Sequence, residues 1–141
     1  VASVVYDSFL ADVFSGAANT SHSYKALLTT SSYTEDRGAH SKRSSVTNEV
    51  SGTGYTAGGV AVTLTASLNT TTHKLTLTIG SATWSSSTIT ARKLVVYRAR
   101  GGASSADELV CCVDNGTDLV SSSSTMQWNA STWEIPLPAP V

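Results

Sequence analysis

The stretch that most constrains this chain is residues 83–100, the longest run with strand character in the 141-residue sequence. Ile89, Ala91, Val95 and Tyr97 fall on one face at period two, and Leu94 and Val96 on the other. A strand that becomes apolar on both faces is central and covered on both sides. Trp84 lies upstream across Ser85-Ser86-Ser87, which reads as a polar turn, so that its ring folds over the sheet as a plug.

The remaining apolar patterns are shorter. Residues 24–30 place Tyr24, Ala26 and Leu28 on one face, and residues 73–79 alternate Leu75, Leu77 and Ile79 with Lys74, Thr76 and Thr78. Further strands are expected over 1–6, 46–51, 60–68, 108–113, 125–128 and 132–135. Asp114-Asn115-Gly116 reads as a hairpin turn, and its likeness to a calcium loop is too short and lacks the terminal Glu. One helix is expected over 8–15, with Asp7 as N-cap, Gly16 at C′ and Phe9, Leu10, Val13 and Phe14 in one stripe, expected against its own sheet, the alternative being a helix laid on a partner. This is a single all-β domain, residues 1–141, with one short N-terminal helix. Two sheets packed face to face would bury Leu75, Leu77, Ile79, Val95, Tyr97 and Val113.

Composition bears on partners. Charged residues make up 13% of the chain, about half the usual ~25%, while Ser and Thr supply roughly three residues in ten. The surface is hydroxyl-rich, which favours coverage by neighbours over solitary exposure. The net charge of −1 invites neither nucleic acid nor an anionic membrane, and no apolar run approaches a bilayer span. Cys111 and Cys112 are adjacent, so their Cα atoms lie about 3.8 Å apart, below the usual disulfide span of about 4.4–6.8 Å. They are expected as free thiols on opposite faces of a strand.

Residues 31–45 are polar and without periodicity, and they carry a basic cluster of Arg37, His40, Lys42 and Arg43. A long loop of this kind is expected either to grip an acidic protein patch or to remain a solvated loop. Without interleaved aromatics it does not suit nucleic acid. Residues 135–141 alternate Pro136, Pro138 and Pro140, which favours an extended arm laid on a neighbour; a disordered tail, or one packed across the base of its own sandwich, is the alternative.

Catalytic chemistry is not encoded in any motif. Gly52–Gly59 has the spacing of a phosphate loop but is followed by a strand pattern, so its glycines serve turns and a bulge. His22, His40 and His73 lack metal-ligand spacing, no G-x-S-x-G elbow occurs, and nothing selects two of the carboxylates as a pair. The sequons at Asn19, Asn69, Asn115 and Asn129 are expected by chance in so Ser/Thr-rich a chain. The chain is read as non-enzymatic and without cofactor or metal.

Three segments together, SYKALLTTSSY (23–33), EVSGTGYTAGGVAVT (49–63) and ATWSSSTITARKLVVY (82–97), resemble small virion proteins of tailed bacteriophages. The resemblance is greatest to the capsid cement, or decoration, proteins of the Bordetella short-tailed phages and covers about residues 1–135. It implies a jelly-roll-like β-sandwich, a homodimer, and a place on the outside of the virion shell, bound to the major capsid protein after assembly in the host cytoplasm. It carries no catalytic motif. Arg37, His40, Lys42, Arg43, Pro136, Pro138 and Pro140 are the expected partner-binding residues. A carbohydrate-binding sandwich, a tail or fibre adhesin, is the alternative, with Trp128 and Trp133 as its expected exposed aromatics.

Overall fold

The computed structural model describes residues 3–139. Eight strands form two antiparallel sheets: β1 (Val4–Val5), β2 (Tyr24–Thr29), β3 (Val60–Val62), β4 (Leu64–Asn69), β5 (Lys74–Ile79), β6 (Ala82–Arg98), β7 (Leu109–Trp128) and β8 (Ser131–Pro136). The large sheet has the order β1-β7-β6-β2-β3 and the small one β4-β5-β8. The fold is the all-β sandwich expected, with one helix, α1 (Asp7–Ser15), near the N-terminus. The apolar run 60–68 is not one strand: it breaks at Thr63, where the chain crosses from the large sheet to the small one. There the Gly80 N–H bonds the Thr63 carbonyl at 2.9 Å and ties this crossing to the next.

The helix ends as read, with Gly16 in the left-handed region at φ 81°. Its start differs: Tyr6 is the N-cap residue, with no side-chain cap, and Asp7 lies in the first turn bonded to Arg37. The apolar stripe also divides. Phe9 and Val13 pack on the core, whereas Leu10 and Phe14 are 43% and 91% exposed.

The pairing of β6 with β7 organises the large sheet, and its irregularities alter the sequence reading. Residues 85–87 are not a turn. They form one side of a bulge, opposite the serine tract 121–124. Ser87 is fully buried, its Oγ 2.8 Å from Ser121 Oγ and within reach of the Trp84 and Ser124 carbonyls. The Ser121 hydroxyl accepts the Ile89 N–H at 3.2 Å. The hydroxyls thus replace ladder bonds that the bulge removes.

Asp114-Asn115-Gly116 does not reverse the chain either. Ala91 pairs with Leu119 and Lys93 with Asp114, so residues 115–118 loop out of a strand that continues in the same direction. The phase of β6 changes there. Ile89 and Ala91 face the small sheet together with Leu94 and Val96, while Val95 and Tyr97 face the other way. Asp114 Oδ1 accepts from Arg92 and from the Gly116 N–H, and Asp118 lies 3.6 Å from the same guanidinium. These carboxylates tie the excursion to Arg92.

Two hydrophobic clusters result. Between the sheets, Ala26, Leu28, Ile89, Leu94 and Val96 meet Leu64, Leu77 and Ile79, with Phe9, Trp84, Met126 and Trp128 closing the ends. Val95 and Tyr97 do not join that core. They form a second cluster with Tyr6, Leu27, Tyr33, Leu109 and Cys112 on the outer face. Leu75 and Val113 are half-buried. Cys111 and Cys112 are free thiols, one in each cluster as the alternation requires. Burial raises both, and with Glu35 nearby Cys112 is pushed up to about 12.

Residues 31–45 are not a solvated loop. They cover the outer cluster, placing Tyr33 over it with its hydroxyl 2.7 Å from that of Tyr6. The expected strand 46–51 is reduced to a bridge, Thr29 with Glu49, because Asn48 takes a positive φ of 59°. The glycine-rich turn follows. Glu49 Oε1 accepts from the Tyr55 hydroxyl at 2.8 Å and the Gly58 N–H at 2.6 Å, and Tyr55 stacks on Trp84. Gly54 (φ 78°) and Gly59 (φ 76°) permit this turn: a Cβ at 54 would lie 2.8 Å from the Ser86 carbonyl oxygen, and one at 59 would overlap the Ala26 carbonyl.

Trp84 is 3% exposed and joins both strands of the ribbon to the glycine turn. Trp84→Ala is expected to lower unfolding free energy by about 3–5 kcal/mol, measured by urea denaturation. An unchanged urea midpoint would contradict this packing.

Candidate interaction surface

The basic residues expected to dock a partner do not form an open patch. Lys42 Nζ lies 3.6 Å from Glu108, and Arg43 Nε lies 2.7 Å from Asp107 Oδ2 with its guanidinium 5.0 Å above the Tyr97 ring. Both carboxylates are about 2% exposed. His40 stacks on Tyr33, and its Nδ1 faces the Tyr33 hydroxyl at 3.1 Å and the Asp36 N–H at 3.3 Å. Arg37 alone of the four lies well out in solvent, bonded to Asp7 at 2.8 Å. The cluster therefore fastens residues 31–45 to the sheet. Its carboxylate partners come from distant positions, with Arg43 and Asp107 separated by 64 residues.

Arg100 completes the latch. Its Nε bonds both Glu108 oxygens, at 3.1 and 3.0 Å, and its backbone N–H bonds Asp107 Oδ1 at 3.0 Å. Burial alone would raise the Glu108 carboxyl. The Arg100 hydrogen bonds, its own backbone N–H and the Lys42 charge outweigh that, and hold it at about 2 against an ordinary 4.5. Further along β6, opposite Asp114, Lys93 is 4% exposed, donates to the Tyr33 carbonyl at 2.8 Å and pairs with Glu35.

The proline arm begins later than expected. Ile135 and Pro136 belong to β8, paired with Leu75 and Lys74. An edge strand tolerates a proline because one row of its ladder bonds is unused. The Leu137 N–H still bonds the His73 carbonyl at 2.8 Å. Only Leu137, Pro138 and Ala139 then remain as described arm, all exposed, and Pro140 lies outside the described residues. The two tryptophans expected as exposed aromatics are covered to different degrees: Trp128 is 7% exposed, and Trp133 is half-buried, packed on the inner core.

Two regions are left open, one without charge and one with apolar walls. The ribbon of residues 82–91 and 119–128 contains no charged side chain. Beside it runs a groove of about 530 Å3 lined by the hydroxyls of Thr30, Ser51, Thr88, Thr90, Ser121 and Ser122. Between the start of α1 and β8 lies a groove of about 460 Å3 lined by Val5, Leu10, Trp133, Ile135 and Pro136. Leu10 in this groove is exposed, as are Phe14 one turn further along α1 and Leu137 just after β8; Leu68 on β4 and Val120 in the ribbon are the other exposed large apolar side chains among the described residues. The helix stripe was the signal for the second groove, but the sequence does not say which half faces outward.

Among the described residues no group of three or more His, Cys, Asp or Glu is placed to hold a metal ion, and no helix is long and apolar enough to cross a membrane. Comparison with protein-family models, curated proteins and solved structures returns no match.

Two outcomes follow from the latch. Arg43→Ala leaves a buried Asp107 without its cation and is expected to cost about 3–5 kcal/mol of stability, whereas Arg37→Ala, at an exposed pair, changes it by less than about 1 kcal/mol. Equal urea midpoints for the two variants would refute the assignment. Because the folded Glu108 carboxyl is depressed, its contribution is complete above about pH 4.5 and is lost as pH falls toward 2. Unfolding free energy measured from pH 7 to pH 2 is therefore expected to fall below pH 5. Glu108→Gln should be less stable at pH 7 and show a shallower acid decline; a parallel decline would exclude Glu108 as its source.

Proposed function

We propose that this is a non-enzymatic structural protein of a tailed-bacteriophage virion. It acts as a homodimer on the outside of the assembled shell and cements neighbouring subunits of the major capsid protein. The resemblance of residues 23–33, 49–63 and 82–97 to capsid cement proteins supplies the class of partner. The observation that carries the reading is the open uncharged ribbon of residues 82–91 and 119–128, with Val120 71% exposed on it, on a molecule whose loop cations are bound internally. Exposed apolar groups of this kind, rimmed by polar residues, mark protein contacts. The reading does not depend on the basic cluster, which serves the fold.

A cement protein works by linkage. It binds a composite site made by several shell subunits, a site that exists only when they are assembled, and so shifts the equilibrium toward the assembled shell. A rigid sandwich suits this role, since little ordering entropy is lost on binding. The carbohydrate alternative is the weaker reading, because Trp128 is in the core and Trp133 is half-buried against it, which leaves little exposed aromatic face for a sugar ring.

The test is co-sedimentation of purified protein with expanded capsids stripped of decoration. Saturable binding and a higher melting temperature of the decorated shells are expected. Protein left in the supernatant at micromolar concentration and low salt would overturn the reading.

A further inference from the structure

We propose that the face formed by α1 and β8 is where two copies of this chain meet, with Phe14 of each copy entering the apolar groove of the other. This rests on the homodimer of the preceding reading and specifies its surface.

Phe14 is 91% exposed, the most exposed of the large apolar side chains, and Leu10 one turn earlier is 43% exposed. Phe9 and Val13 already satisfy the inner side of the helix. Leu10 also lines the adjacent groove of about 460 Å3, whose other apolar walls are Val5, Trp133, Ile135 and Pro136. The other grooves are lined largely by hydroxyls, glycines or charged groups. A knob and a hole that share Leu10 lie side by side on one face. A two-fold axis through that region brings each knob to the other copy's hole, and such a contact closes at two copies.

Charge favours a second copy over a charged partner. The groove is rimmed by Asp7 with Arg37, at 2.8 Å, and by Glu134, which is paired with Lys74 at 3.1 Å. All four are substantially exposed, two of each sign. An acidic or a basic surface would oppose one half of this rim, whereas a two-fold copy presents the same balanced set and permits exchange of partners. On the side of the molecule that carries this groove the strand edges do not favour sheet extension: β1 has two residues and β8 ends in Pro136. The contact there is one of side-chain packing. A standard interface removes about 800 Å2 per copy, roughly a tenth of the 7387 Å2 this chain exposes.

Sedimentation velocity of the full chain over a concentration series tests this, with Phe14→Ser, Leu10→Ser and Phe14→Trp beside the unaltered protein. Phe14 makes little contact with its own fold, so Phe14→Ser should keep its melting temperature while dimer Kd weakens by about 100-fold or more. Phe14→Trp should remain dimeric. A dimer unaffected by Phe14→Ser and Leu10→Ser overturns the surface and leaves the homodimer standing. A monomer at millimolar concentration overturns both. If Phe14→Ser instead abolishes capsid co-sedimentation and spares the dimer, the occupant is the shell protein and the inference is wrong, though the cementing role survives.

Discussion

The long pairing of β6 with β7 is the constraint on which the rest depends. Both strands are long enough that unbroken alternation would commit each face to one environment along its whole length. The excursion at 115–118 cancels that commitment. Beyond it, Leu94 and Val96 inherit the inward side that Ile89 and Ala91 hold before it, and Val95 and Tyr97 turn outward. One strand pair thereby lines two cores, and the outer core needs a cover. Residues 31–45 are that cover, and the buried Asp107 and Glu108 at the start of β7 hold it in place.

The parts legible in the sequence are those whose signal is local. Leu75, Leu77 and Ile79 announce a strand by alternation, Gly16 announces a helix end, and the glycines at 54 and 59 announce turns. The unread parts depend on partners far along the chain. Ser85-Ser86-Ser87 has the composition of a turn, and only the opposing serines at 121–124 make it the filling of a bulge. Asp114-Asn115-Gly116 is a turn, but Lys93 and Ala91 hold the strand on either side of it in one direction. Residues 31–45 lack periodicity because side chains order them: Lys93 reaches the Tyr33 carbonyl across 60 positions. The same separation hides the partners of the basic cluster, since Arg43 looks free until Asp107 is placed beside it.

The buried ionic groups of this charge-poor chain are concentrated at a few structural points. In a surface rich in ions, the loss of one pair is absorbed by its neighbours. Here Arg43, Arg100 and Lys42 converge on two buried carboxylates, and Arg92 holds Asp114 and Asp118 at the excursion. These groups sit where the backbone departs from regular pairing. Regular segments satisfy their own backbone through the ladder, while irregular ones need side chains to do so.

That division leaves recognition to uncharged surface. The ribbon offers hydroxyls, and the α1–β8 face offers Leu10, Phe14 and the walls of its groove. Hydroxyls exchange water for a partner at little net gain, whereas apolar area contributes about 25 cal/mol per Å2 removed from water. Of the two, the apolar face is therefore the stronger source of binding energy. The helix supplies it without weakening the fold, because its nine residues present one pair of apolar side chains inward and another outward. A longer amphipathic helix would bury a broader stripe and leave no knob. A short one, anchored by Phe9 and Val13 and stopped by Gly16, holds Phe14 at its rim on a rigid base.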